Sequence, residues 1–177
     1  MVGNKINGNI TFYYDSKELF DAVGILSSYM SKNLVTDSLS ALDEFSISSD
    51  EWDIYKVCLK QSLPNIYDEF LKMTSCITEA FDDEVKIESE DTSGLNRKAG
   101  TYVEITIRNN NAYNSNVLSL VDSTLLTCIK YGVLAEFYSV CQHEALFRVA
   151  NDKYITSLMQ LRQRTLPLKR KVVSSQF

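Results

Sequence analysis

The chain has 177 residues, of which 45% are hydrophobic and 23% are charged, and its formal net charge at pH 7 is −5. This composition is typical of a single water-soluble domain, and the acidic balance excludes a general nucleic-acid binder of the strongly basic kind. The charge is unevenly placed, because residues 1–141 hold 11 basic and 21 acidic side chains whereas residues 142–177 hold 7 and 2.

The first elements in chain order are a strand and a helix. Residues 9–14 are β-prone, and Asp15 or Ser16 can cap a helix of about twenty residues. Gly24 weakens this helix by about 1 kcal/mol relative to Ala. A short helix is predicted over 36–45. The first helix has its apolar residues on one stripe, as expected of a buried face: Leu19, Phe20, Val23, Leu26, Met30 and Leu34.

The middle of the chain changes from helical to strand periodicity. Ser48 is the expected cap of a second long helix, which Pro64 either kinks or divides into two stacked helices. Apolar and polar residues then alternate on both sides of a polar loop that contains Gly94 and Gly100, which predicts a two-stranded hairpin over about 84–108. A lone hairpin is marginal in water. The hairpin must therefore pack against the helices, pair with the strand at 9–14, or be completed by another subunit.

Two further helices complete the predicted fold. The apolar residues of 117–141 cover more than one helix face, so this segment is predicted to be the central helix of the core. A final helix is predicted to end before Pro167. The fold class is therefore mainly α: a bundle of four to five helices with the inserted hairpin, in one domain over 1–166, followed by an extended basic tail over 167–177.

The cysteines indicate a reduced protein without a metal site. Cys58, Cys76, Cys128 and Cys141 form no CxxC pair and share the chain with one histidine, so we expect buried thiols and no zinc. The N-terminus lacks the apolar core of a signal peptide, and no apolar run approaches the length of a membrane span. These features predict a soluble protein made in a reducing cytosol.

The candidates for catalysis are few. Cys141 and His143 are two residues apart and would point to different faces of a helix, which does not suit a nucleophile pair. The alternative is a capping or exposed histidine at the junction between two helices. The acidic residues of 79–91 lack the ligand spacing of a calcium loop. We therefore expect no enzyme activity, no catalytic residue, no cofactor and no metal.

The C-terminal segment is the feature that stands out. From residue 160 onward the chain has five basic residues and no acidic one, followed by apolar residues that end in Phe177. Ordering such a tail costs conformational entropy, and only binding to a partner offsets that cost. The partner could be an acidic protein or an identical subunit, or it could be a nucleic acid. The third alternative is that the tail has no partner. The candidate interface with a protein partner consists of Arg162, Arg164, Lys169, Arg170, Lys171 and Phe177.

The segment 125–138, Leu-Leu-Thr-Cys-Ile-Lys-Tyr-Gly-Val-Leu-Ala-Glu-Phe-Tyr, is followed by Glu144, by a helix through Tyr154 and by an Arg/Lys-rich exit. This stretch, over about 120–165, resembles the head-to-tail connector proteins of tailed bacteriophages, including those of crAss-like phages. The helix order and the inserted hairpin are further points of similarity. The resembling pattern consists of apolar and aromatic positions and contains no catalytic signature.

The resemblance implies a structural protein of the virion neck, assembled in the host bacterial cytoplasm. It implies a homo-oligomeric ring, commonly of twelve copies, that extends the DNA channel between the portal protein and the adjacent neck or tail proteins. DNA would only pass through as cargo, and no membrane is involved. Terminal extensions grip a neighbour in this family, which suggests that role for 169–177; the hairpin would contact a neighbour or face the channel. The alternative is a small helical regulator that binds one protein through its basic tail.

Overall fold

The computed structural model describes residues 4–6, 9–34, 45–73, 82–87, 100–108 and 115–169. The described part is mainly helical, as the sequence predicts, with an antiparallel sheet. Its strands are β1 (Asn4–Ile6), β2 (Asn9–Asp15), β3 (Asp82–Ile87) and β4 (Gly100–Arg108), and its helices are α1 (Ser16–Leu34), α2 (Trp52–Met73), α3 (Ser115–Val140) and α4 (Glu144–Lys169).

The predicted hairpin is part of a larger sheet. Strands β3 and β4 pair as expected, but β4 also pairs with β2, which gives the order β1-β2-β4-β3. Of the three ways to stabilise a lone hairpin, the chain therefore uses pairing with the strand at 9–14. The sequence analysis missed β1, although Asn7-Gly8 lies between β1 and β2 and is a strong signal for a two-residue hairpin turn.

One face of the sheet contributes to the hydrophobic core that the helices form. Phe12 lies opposite Ile105 and Tyr14 lies opposite Val103 across the β2–β4 pair, and all four are buried. Because side chains alternate between the two faces of a strand, these residues point together toward the helices. The hydroxyls of Thr11 and Thr106 are 3.0 Å apart on the opposite face.

Helix α3 is the central helix, as predicted from its apolar residues. It packs against α1, α2 and α4, and Val133, Leu134 and Phe137 are buried in the core while Leu126 is half-buried against it. Its stretch Val117–Val140 has a mean hydropathy of 1.5 and is long and apolar enough to cross a membrane; half of it is buried inside the protein, and the core helix of a soluble protein passes the same test.

Helices α2 and α4 both approach α3 closely at Gly132. A β-carbon added to Gly132 would lie 2.9 Å from Cβ of Ser62 and 3.0 Å from Cε2 of Tyr154. The phenol of Tyr154 donates a hydrogen bond to the backbone carbonyl of Ser62 at 2.8 Å. A glycine is therefore required here by the close approach of two other helices.

Gly24 has a similar role on the outer side of α1. A β-carbon on Gly24 would lie 3.1 Å from the carbonyl oxygen of Ile47. The hydroxyl of Ser27 accepts a hydrogen bond from the Ile47 amide at 2.9 Å, and the hydroxyl of Ser31 lies 3.0 Å from the Phe45 carbonyl. The loss of helix propensity at Gly24 is thus offset by the space that its missing side chain leaves for residues 45–47.

The structure decides between the two alternatives at Pro64 and corrects the prediction at Pro167. Pro64 lies inside α2, which extends without a break from Trp52 to Met73, so the chain does not form two stacked helices here. Helix α4 does not end before Pro167 but continues to Lys169, so the predicted tail over 167–177 begins at least three residues too early. A proline removes one helical hydrogen bond and its ring crowds the preceding turn, but the packing of a long helix can outweigh that local cost. The predicted short helix lies outside the described residues except at Phe45.

Candidate functional site

The structure describes part of the predicted C-terminal interface. Arg162 is exposed on α4, and Lys169 is the last residue of that helix. Arg164 is half-buried, and its guanidinium donates hydrogen bonds to the Leu120 carbonyl at 3.1 Å and to the Thr124 hydroxyl. Arg164 therefore joins α4 to α3 within the chain. Arg170, Lys171 and Phe177 lie outside the described residues.

The structure also contains a cleft that the sequence analysis did not predict. The cleft has a volume of about 570 Å³ and lies where the start of α1, the start of α2 and the start of β4 meet. We call it the acidic cleft and define it by Asp15, Lys17, Phe20, Asp21, Ser49 and Trp52, with Gly100 and Thr101 at one end. Its volume is within the range of ordinary binding sites.

Two helix starts determine the geometry of the acidic cleft. The Oδ1 atom of Asp15 accepts hydrogen bonds from the amides of Lys17 and Glu18, each at 2.9 Å, and so caps α1 as the sequence predicts. At the start of α2, Oε2 of Glu51 accepts a hydrogen bond from the Ser48 amide at 2.7 Å. Acidic residues suit both places because they face the positive ends of the helix dipoles.

Aromatic side chains form the apolar wall of the acidic cleft. The rings of Phe20 and Trp52 are edge to face with centroids 5.0 Å apart, and Tyr55 packs behind them at 5.1 Å from Phe20 and 5.3 Å from Trp52. Phe20 and Trp52 are half-buried, so part of each ring is accessible from the cleft. The face of a tryptophan ring can bind a cation, and aromatic rings also bury apolar groups that pack against them.

The chain segments around the acidic cleft have an excess of negative charge. Lys17 is the one basic residue within 15–21 and 49–53, against six acidic residues: Asp15, Glu18, Asp21, Asp50, Glu51 and Asp53. Of these six, Asp15 and Asp21 line the cleft, and Asp53 pairs with Lys56 at 2.9 Å. The side chains of Asp21 and Asp50 are exposed. The cleft thus combines an aromatic wall with exposed carboxylates, which is an arrangement suited to a ligand with both cationic and apolar groups.

The hydroxyl of Ser16 also belongs to this region. Ser16 lines the cleft, it is 1% exposed, and its Oγ atom has no hydrogen-bond partner within the described part of the chain. A buried hydroxyl without a partner costs free energy.

The only histidine serves a structural role at the joint between α3 and α4, as the capping interpretation predicts. Its Nδ1 atom accepts a hydrogen bond from the Leu146 amide at 3.2 Å, and its carbonyl accepts one from the Phe147 amide at 2.9 Å. The imidazole also packs edge to face on Phe45, with centroids 4.3 Å apart. His143 therefore caps α4 and holds residue 45 against this joint.

The same joint contains a residue in the left-handed backbone region. Gln142 has a φ of 56°, and the amides of Gln142 and His143 donate hydrogen bonds to the carbonyls of Ser139 and Tyr138. This is a Schellman ending of α3 with glutamine at the position that glycine prefers.

Replacing Gln142 by Gly is expected to raise the free energy of unfolding by about 0.5–1 kcal/mol, because glycine adopts this backbone without steric cost. Thermal or urea denaturation measures the change. Gln142→Ala is the matched control and should give no gain, since alanine keeps the β-carbon. A Gly variant less stable than the wild type would contradict this explanation of the turn.

The buried thiols have pKa values that keep them protonated. Burial is the main cause that raises the pKa of Cys58 and of Cys128 to about 11 each, and burial also raises the pKa of Tyr138 to about 12. The pKa of Tyr14 is raised well above its usual value by burial and by Asp122, whose carboxylate accepts the hydrogen bond of the phenol at 2.8 Å. Cys58, Cys128 and Cys141 form no disulfide within the described residues, and Cys76 lies outside them.

These pKa values predict a loss of stability in alkaline solution. Above about pH 9 the unfolded chain releases thiol and then phenol protons that the folded chain retains, so the free energy of unfolding falls as the pH rises. Each such group contributes up to about 1.4 kcal/mol per pH unit within its window. Urea denaturation across pH 8 to about 10.5 should show this slope, and Cys128→Ala should reduce it. A flat profile would contradict the burial of these protonated groups.

Within the described ranges no three His, Cys, Asp or Glu side chains form a group that could hold a metal ion. Comparisons with known protein families, with characterised proteins and with solved structures find no match to this chain.

Proposed function

We propose that this chain is a structural subunit of a bacteriophage head-to-tail connector, which forms a ring between the portal and the tail. The observation that carries the proposal is the resemblance of residues 120–165 to such proteins. These residues occupy the helix pair α3 and α4, which packs tightly in antiparallel order and lies at the centre of the core. A rigid central pair of helices is suited to a subunit whose outer faces contact other copies.

The distribution of exposed apolar residues supports an assembling protein. Ile25 and Tyr29 are one turn apart on α1 and are 70% and 69% exposed, and Ile155 and Met159 are one turn apart on α4 and are 43% and 60% exposed. Each pair forms an apolar strip on its helix surface. Apolar strips of this kind are typical of surfaces that pack against another protein.

The uneven charge supports the same proposal. Copies that place a basic segment of one chain beside the acidic remainder of the next are attracted to each other, and complementary charge fixes their orientation. The acidic bulk also suits a conduit for DNA, because affinity for phosphate requires accumulated cationic contacts.

Negative-stain imaging and size determination of the purified chain, alone and with the portal protein, test the proposal. We expect ring-shaped particles with a central opening, or a complex with the portal. A chain that remains monomeric and binds neither portal nor tail proteins would contradict it.

A truncation separates the connector from the alternative, a helical regulator that binds one soluble partner. Removing 170–177 leaves every described helix intact. If the chain is a connector, the truncation should produce filled heads that do not join tails. If the chain is a regulator, the truncated chain should lose one partner in a pull-down, and particle assembly should be unchanged.

A further inference from the structure

The acidic cleft and the C-terminal segment of the chain have matching chemistry. The exposed carboxylate of Asp21 lines the cleft, and the exposed Asp50 follows the lining residue Ser49, beside the aromatic wall of Phe20 and Trp52. The segment 169–177 has the sequence Lys-Arg-Lys-Val-Val-Ser-Ser-Gln-Phe, with three cations followed by two valines and a phenylalanine. Cations can pair with the carboxylates or stack on the indole, while the apolar residues can cover the aromatic wall.

We propose that the acidic cleft binds the segment Lys169–Phe177 of a neighbouring copy of this chain. The proposal rests on the proposed function, since it requires copies that lie side by side, and it names the surface that receives the C-terminal segment.

The placement of α4 favours a neighbouring copy over the chain's own segment. Arg164 bonds to Leu120 and Thr124 of α3, whereas Tyr14, beside the cleft residue Asp15, bonds to Asp122. Asp122 is two residues from Leu120 and from Thr124 and therefore lies on the opposite side of α3. The end of α4 and the cleft are thus separated by the central helix, which the chain's own segment would have to go around.

The size of the cleft fits part of such a segment. A volume of about 570 Å³ accommodates a few side chains rather than a folded element. Residues 170–177, if extended, span at most about 26–29 Å, which is enough to leave one subunit and reach across the surface of the next.

Trp52 provides the measurement, because it lines the cleft and is the only tryptophan of the chain. If a neighbouring copy fills the cleft, the emission of the full-length chain should shift as the protein concentration rises. The tail-reversed variant, Lys169→Glu/Arg170→Glu/Lys171→Glu, should require at least about a tenfold higher concentration for the same shift. The control variant Lys32→Glu/Lys153→Glu reverses two other exposed cations of the chain and should behave like the wild type.

A charge exchange then identifies the two surfaces. The cleft-reversed variant, Asp21→Lys/Asp50→Lys, should also lose the shift on its own. Mixing it with the tail-reversed variant should restore the shift, because the acidic segment of one chain now meets the basic cleft of the other. Circular dichroism verifies that each variant is folded.

Several outcomes would overturn the inference. A wild-type emission that does not depend on concentration would do so, as would equal effects of the tail-reversed and control variants, or a mixture that restores nothing. A tail-dependent shift that is independent of concentration would mean that the segment binds its own cleft. Rings that form while Trp52 is unaffected would leave the connector function standing without this contact, whereas a restored mixture without rings or portal binding would leave the contact standing without the connector.

Discussion

Leu134→Ala is expected to lower the free energy of unfolding by about 2–5 kcal/mol. Leu134 is fully buried on α3, where that helix packs against the other helices. Removing its isobutyl group loses the burial of apolar surface and leaves a cavity that tightly packed neighbours fill only in part. Urea denaturation of the two proteins measures the difference.

Leu120→Ala is the matched control for this variant. Leu120 is on the same helix but is 50% exposed, and only its backbone carbonyl contacts Arg164. Its replacement should change the stability by about 0.5 kcal/mol or less. A Leu134 variant as stable as the Leu120 variant would mean that α3 is not the central helix of the core.

Gly132→Val is the second substitution with a large expected effect, a loss of about 1–3 kcal/mol. The new β-carbon would lie 2.9 Å from Cβ of Ser62 and 3.0 Å from the ring of Tyr154. Two helices would have to move apart, and the buried hydrogen bond from Tyr154 to the Ser62 carbonyl would be distorted. Thermal denaturation should show a lower midpoint.

Ser119→Val tests whether crowding causes this loss. Ser119 is exposed on the same helix, so a valine there has the same restricted rotamers and nothing to collide with. Its stability should stay within about 0.5 kcal/mol of the wild type. Equal losses in the two variants would show that valine is unfavourable at any position of this helix and that the close contact at Gly132 is not the cause.

The sequence predicted those parts of the fold that depend on local chemistry. The apolar residues of α3 cover more than one face, and that helix is central; Asp15 and His143 cap helices at the predicted places. Such features depend on side chains within a few residues of each other, where periodicity and capping rules are strongest.

Features that depend on distant residues were not predictable in this way. The pairing of β2 with β4 places Phe12 opposite Ile105. No residue near Phe12 indicates that the hairpin pairs with this strand rather than with the helices alone or with another subunit. Pro167 is a strong local stop signal, because a proline removes one helical hydrogen bond and crowds the preceding turn, yet α4 continues through it to Lys169.

The candidate site likewise has one part that the sequence reveals and one part that it does not. The cationic C-terminal segment is contiguous, so composition alone identifies it. The acidic cleft is assembled from residues near 15–21, 49–52 and 100–101, of which the sequence analysis identified Asp15 only as a helix cap. The hydrogen bonds from Arg164 to Leu120 and Thr124 of α3 were not predictable either, because 40 residues separate Arg164 from Thr124.

The central proposal is that this chain is a building block of the virion neck. Electron microscopy of phage particles purified from cells that make this chain, labelled with a gold-tagged antibody against it, tests the proposal most directly. We expect the label at the junction between head and tail, in several copies per particle. Particles without label at that junction, while the antibody detects the chain in the lysate outside them, would contradict the proposal.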